Sequence, residues 1–165
     1  MRDKNPTNTC QIRPANEKDL DQICALGKQI NDQHLQHVPG IFTPNIDASE
    51  VRAFWKNALE IDNGTIFVAC IGEQIVGFIS VSWIEHLTNP YLQRKKICRV
   101  GTIVVAENCF QRGIGKALME AASDWGHAQR ATEIRLEVFD FNRNAIGFYQ
   151  KLGFDVQTHF MGKPL

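Results

Sequence analysis

The chain has 165 residues, 44% of them hydrophobic and 22% charged, and its 18 Lys and Arg balance 18 Asp and Glu. That length suits one domain able to bury roughly 70% of its unfolded surface, so a core can form without metal or disulfide staples. Zero formal charge gives no sequence-wide field toward nucleic acid or an anionic membrane, and no apolar run reaches the ~18 residues that a membrane helix needs.

The opening Met1-Arg2-Asp3-Lys4-Asn5 is polar and unlike a signal peptide. Residues 1–8 are expected to form a flexible N-terminus and residues 9–165 one domain, with a cytoplasmic address and neither nucleic acid nor membrane as partner. Cys10, Cys24, Cys70, Cys98 and Cys109 are odd in number and never form a C-x-x-C pair. They are expected to be free, buried thiols, and no metal site is expected.

Cys10-Gln11-Ile12-Arg13 alternates as a first strand closed by Pro14. Asn16 is a candidate N-cap for a helix in which Leu20, Ile23, Cys24, Leu26 and Ile30 recur at helical spacing toward Gln33. Residues 34–46, with two prolines and a glycine, form an irregular connection of the kind that often builds binding surfaces. Asp47 or Ser49 caps a second helix through about Ile61, striped by Val51, Phe54, Trp55, Ala58 and Leu59.

Residues 65–71 and 74–84, joined by a Gly72-Glu73 turn, form a β-hairpin. After a loop over 85–96, Ile97 to Val105 is a further strand. A helix over about 113–128 follows, with Leu118, Ala121, Ala122 and Trp125 buried. Residues 132–139 alternate as a strand, 142–152 form a helix and 154–160 a last strand. The order β-α-α-β-β-β-α-β-α-β describes one mixed α/β domain with a central sheet.

The strand-to-helix passage Val104-Val-Ala-Glu-Asn-Cys-Phe-Gln-Arg-Gly-Ile-Gly-Lys-Ala-Leu118 suits an anion. The first N–H groups of a helix lack partners, the macrodipole is positive there, and Gly113 and Gly115 let a phosphate approach the backbone. Arg112 and Lys116 add formal charge. A Walker loop would need glycine where Phe110 stands and Ser or Thr at Ala117, and a dinucleotide fingerprint would need glycine at Leu118.

Gln111-Arg-Gly-Ile-Gly-Lys-Ala-Leu118, together with Leu136-Glu-Val-Phe-Asp-Phe-Asn-Arg-Asn-Ala-Ile-Gly-Phe-Tyr-Gln-Lys-Leu-Gly-Phe154, resembles the GNAT superfamily of N-acetyltransferases. The second motif, N-x-x-A-x-x-F-Y-x-x-x-G-F, is the more specific, and the resemblance runs through the whole element order. It implies a GNAT-like acyl-CoA N-acyltransferase fold and acetyl-CoA as acetyl donor. By this resemblance Gln111, Arg112, Gly113, Ile114, Gly115 and Lys116 hold the donor's pyrophosphate. The backbone of Ile103, Val104 and Val105 pairs with its pantetheine arm, which Asn142 also contacts. The chain departs from the family at Phe110, where Arg or Gln is usual.

The resemblance further implies Tyr149 as the acid that protonates the leaving thiolate and Glu137 as a candidate base. Seven helical residues turn about 700°, so Asn142 and Tyr149 share one face roughly 10 Å apart. An amine attacking a thioester forms a tetrahedral intermediate whose collapse expels a thiolate, which a phenol within reach can protonate. The base must also take a proton from an ammonium. Glu137 is expected on a strand face with Arg135, as a base or as a structural partner of Arg135 or of a sheet-edge lysine, and Glu85 and His86 are alternative bases.

His34 and His37 have metal-ligand spacing but no evident third ligand, and are expected at a solvated helix end. Arg94 to Arg99 is a short basic cluster on a solvated loop. The acceptor is an amine on a small molecule or a protein, and a homodimer is open, with Phe160 to Leu165 as candidate contributors. A binding module that senses acyl-CoA without turnover is the competing class, and a non-acetyl acyltransferase a second.

Overall fold

The apolar runs of the central strands are covered on both faces, and this sets the layers. The computed structural model describes residues 9–85 and 89–165. In chain order it contains β1 (Gln11–Pro14), α1 (Leu20–His37), α2 (Ala48–Glu60), β2 (Gly64–Ile71), β3 (Gln74–Glu85), β4 (Lys96–Val105), α3 (Ile114–Ala128), β5 (Glu133–Arg135) and α4 (Arg143–Lys151). The strands form one sheet in the order β1-β2-β3-β4-β5, antiparallel as far as β4 and parallel between β4 and β5. Among the described residues no helix is long and apolar enough to cross a membrane.

On one face Ile66, Val68, Ile75, Phe78 and Val104 meet Leu20, Ile23 and Leu26 of α1 and Trp55 of α2. The Trp55 ring stands edge-on to Phe78, with centroids 4.9 Å apart. On the other face Ala69, Val76, Ile79, Val81, Cys98 and Val100 meet Ile114, Leu118, Met119 and Ala122 of α3 and Tyr149 of α4. Leu118 and Phe78 are fully buried, so truncating either to Ala removes on the order of 3–5 kcal/mol.

Strict alternation would not produce this distribution. The register of β3 on β4 skips Gly101, since Ser80 pairs with Thr102 and Val81 with Val100. The extra residue flips the side-chain phase. Cys98 and Val100 therefore face α3 while Val104 faces α1 and α2. A Cβ at position 101 would lie 3.0 Å from Ser80 Oγ, which accepts a hydrogen bond from the Thr102 N–H at 2.9 Å.

Three sequence expectations are corrected. α1 continues past Gln33 to His37 because His34 has ring partners from distant segments. β5 ends at Arg135 rather than at 139, because its pairing with β4 stops there. Residues 154–160 alternate like a strand yet have no regular structure. A strand needs a partner's hydrogen bonds, and Val156 and Phe160 are left exposed.

The five cysteines are free. Cys70, Cys98 and Cys109 are buried, whereas Cys10 and Cys24 are only half-buried. Burial pushes the Cys98 thiol up to about 11 and raises those of Cys10, Cys24 and Cys70.

The entry to α1 is fixed by charge. Arg13 Nη1 and Nη2 donate to the buried Asp19 carboxylate at 2.7 and 2.8 Å, and the Asn16 N–H donates to it at 2.8 Å. The Arg13 hydrogen bonds hold the Asp19 carboxyl below its ordinary value. A carboxyl with a depressed folded value stabilises above its unfolded value and loses that contribution as pH falls. Asp19→Asn should therefore cost roughly 1–2 kcal/mol at pH 7. The difference in urea midpoint from the parent should shrink as pH drops below about 4.

Candidate active site

β4 and β5 touch only briefly. Ile97, Cys98 and Arg99 pair with Glu133, Ile134 and Arg135, and beyond Arg99 the two chains diverge. β4 nevertheless runs on to Val105. Among the described residues, the backbone of Ile103, Val104 and Val105 therefore has β3 on one side and no paired strand on the other, an opening in the hydrogen-bond ladder that an extended ligand could fill. Ile103 and Val105 pack toward the α3 face, and Val104 is buried toward α1. Gln29 Nε2 of α1 donates to the Val105 carbonyl at 3.0 Å, tying α1 to the rim of this opening.

The chain leaves β4 through a turn at Glu107–Cys109 and enters α3 through two left-handed residues, Gln111 (φ 61°) and Gly113 (φ 77°). Successive N–H groups in such turns make anion-binding concavities. Gly113 is the N-cap and brings no side chain to the first N–H groups of α3, and no acidic residue stands in the first turn. A Cβ at Gly113 would meet nothing within 4 Å, so the space before the helix is open. Gln111, Arg112 and Lys116 are exposed around it, with Lys116 Nζ 3.5 Å from Glu120 on the same helix, and Ile114 is buried beneath. An open, acid-free helix N-terminus flanked by cations fits a pyrophosphate.

Gly115 has a different task. A Cβ there would lie 3.3 Å from the Phe148 ring, so this glycine lets α4 close on α3. Phe110 is exposed and brings no charge to the loop.

Tyr149 follows Phe148 on α4 and is 8% exposed, between the Phe148 and Phe154 rings at 5.3 and 5.9 Å. Burial pushes its hydroxyl up to about 12. Asn142 is the N-cap of α4, its Oδ1 accepting from the Ala145 N–H at 3.1 Å. Its side-chain oxygen is thus engaged by the helix, while its amide nitrogen remains for a ligand.

Glu137 lies two residues past the end of β5, exposed, with Oε1 3.0 Å from Arg99 Nη2. The expected strand face shared with Arg135 does not form, because β5 ends at Arg135; its guanidinium pairs with Glu133 at 2.8 Å, and the partner of Glu137 is Arg99 rather than Arg135 or a lysine. Glu85 is at the exposed end of β3 opposite Lys96, and His86 lies outside the described residues. The basic cluster is dispersed: Lys96 Nζ sits 4.0 Å over the Trp83 ring while Arg99 turns to Glu137. A separate concavity of about 1040 Å³, between α1 and α2, contains none of these residues.

The solvated helix end expected for both histidines holds for His37, the exposed last residue of α1, and not for His34. His34 is half-buried and stacks on Phe42 at 4.8 Å, with Phe139 and Phe141 at 5.3 and 5.7 Å. His37 lies flat on Phe141 at 4.3 Å, and its Nδ1 donates to the Gln33 carbonyl at 2.9 Å. Among the described residues no three ligating side chains converge on a metal position. Sequence reasoning missed this ring cluster because its members stand about a hundred residues apart; the Phe-Asp-Phe triplet at 139–141 was its one local trace.

Residues 33–154 match the acetyltransferase (GNAT) family model. The uncharacterized N-acetyltransferase MJ1207 of Methanocaldococcus jannaschii is 27% identical over 106 residues, which are 63% of this chain and 45% of that protein. The chain thus spans about half the length of this relative. The crystal structure of a tetramutant of the BH1408 protein from Bacillus halodurans superposes with a TM-score of 0.85 at 26% identity, covering 94% of this chain and 99% of that one. The aminoglycoside N-acetyltransferase AAC(6')-Iy, solved in complex with CoA, shares the fold at 20% identity and a TM-score of 0.78, covering 98% and 97%. Over a matched region that begins within α1 and extends past α4, the chain belongs to the GNAT family of acetyltransferases.

Proposed function

We propose that residues 9–165 act as one domain that transfers an acetyl group from acetyl-CoA to a primary amine by direct attack. The observation that carries this reading is the opening beside Ile103–Val105, which has an acid-free helix N-terminus at its end and a buried phenol packed with the same core cluster. Bound acetyl-CoA supplies an activated thioester. The N–H groups of Gly113 to Lys116, with Gln111, Arg112 and Lys116, bind its pyrophosphate. The backbone of Ile103 to Val105 and the Asn142 amide orient the pantetheine arm.

Tyr149 holds its proton throughout the neutral range and gives it to the departing sulfur. Glu137 accepts the proton of the incoming ammonium. It is exposed and in contact with Arg99, so water can relay the proton to it. The acceptor itself is an amine-bearing small molecule or protein.

Thiol release from acetyl-CoA with a panel of amines tests the assignment. Tyr149→Phe should lower kcat by about 10²–10⁴-fold with little change in the KM for acetyl-CoA. Unchanged turnover would remove Tyr149 as the acid, and tight CoA binding with no release under any amine would favour a sensor. Because the hydroxyl titrates near 12 rather than at the ordinary tyrosine value of about 10, kcat should not fall between pH 9 and about 10.5 through loss of the acid.

The two roles of Asn142 separate by substitution. Asn142→Ala should cost about 1 kcal/mol of stability through the lost cap. Asn142→Asp should restore the melting temperature yet leave the acetyl-CoA KM raised, because a carboxylate caps but cannot donate.

A further inference from the structure

The donor-binding features lie on the α3 and α4 side of the sheet, while the ring cluster lies where α1 ends on the opposite side. Tyr149 and the start of α3 belong to the core of the first side. α1 covers the second side, its Gln29 bonded to the rim at Val105, and His34 and His37 follow it directly. The cluster joins this end of α1 to Phe139 and Phe141, which stand between Glu137 and the Asn142 cap. A donor held from the first side leaves the second side free for an acceptor.

We infer that the acceptor is a monoamine whose amine sits next to an apolar or aromatic body, received by the wall of His34, Phe42, Phe139 and Phe141. This rests on the acetyl-transfer reading and names the substrate class for it. Two observations carry it: four rings close together where the end of α1 meets the segment before the Asn142 cap, and ion pairs on four of the five carboxylates of the segments that supply them. Asp21 and Asp32 of α1 pair with Arg52 and Lys28. Glu137 and Asp140 pair with Arg99 and Arg143. Asp47, at the end of the loop that holds Phe42, accepts from the Ser49 N–H and hydroxyl.

A single ammonium is welcome beside ring faces, where cation–π attraction partly replaces water. A polyamine or aminoglycoside would bring further ammonium groups that must compete with Lys28, Arg52, Arg99 and Arg143 for these carboxylates, and desolvating an unpaired charge is costly. Burial, aided by the neighbouring His37, holds the His34 imidazole below its ordinary value, which disfavours a charge on the wall.

The test compares 2-phenylethylamine, ethylamine, spermidine and neamine as acceptors for the full chain, reading thiol release from acetyl-CoA. The phenyl ring buries enough apolar surface for about a tenfold or greater advantage in kcat/KM over ethylamine, and both polycations should fall below 2-phenylethylamine. Phe139→Leu and Phe42→Leu, which keep apolar volume, should each reduce the phenyl advantage at least about threefold without moving the acetyl-CoA KM. A preference for spermidine or neamine would overturn the inference while leaving the enzyme reading intact. So would a phenyl advantage that survives in both variants. No release with any of the four amines, despite CoA binding, would overturn the inference, and continued absence of release with peptides presenting N-terminal or lysine amines would overturn the enzyme reading as well.

Discussion

The single inserted residue at Gly101 is the constraint on which the site depends. A strand that kept strict alternation would send Val104 to the same face as Cys98 and Val100. With the bulge, the first half of β4 anchors α3 and the second half anchors α1, so one strand serves both layers. β5 pairs only with the first half. The opening between the strands thus begins next to the residue where the phase changes, and β-bulges commonly mark such re-aimed positions beside binding sites.

The helices then converge on this opening for separate physical reasons. α3 presents backbone N–H groups because Gly113 offers no capping side chain, α4 brings a phenol because Gly115 lets Phe148 approach, and α1 is held at the rim by Gln29. None of these devices needs a formal charge in the interior. The one buried carboxylate, Asp19, is far along the chain from the cleft residues and is answered by Arg13, so the core bears its ionic burden at the entry to α1.

Much of the fold was legible because the signals were local. The hairpin at Gly72-Glu73, the Asp47 cap and the glycine-led start of α3 each follow from a few adjacent residues, whereas Asn16 caps the short 3₁₀ turn at Glu17–Asp19 that leads into α1 and not α1 itself. What failed was non-local. Alternation over 132–139 and 154–160 says that a strand suits those residues, but not whether a neighbour exists to pair with them. The Gly101 bulge was invisible because a glycine inside a strand is compatible with either register. In the candidate site, the glycine-led helix start was suggested by spacing and Tyr149 by the family motif. The use of Gly115 for Phe148, the Arg99 contact of Glu137 and the histidine–phenylalanine cluster required distances between segments that only folding supplies.

The condition of the cysteines has a consequence at the bench. A thiol reacts as its thiolate, and Cys98 at about 11, with Cys10, Cys24 and Cys70 also raised, holds very little of that form at the mildly alkaline pH where chromogenic disulfide reagents are used. Buried Cys70, Cys98 and Cys109 are shielded as well. The folded protein should therefore give a low, slowly rising background against which each equivalent of free coenzyme stands out, and a sudden jump in that background would report unfolding rather than turnover.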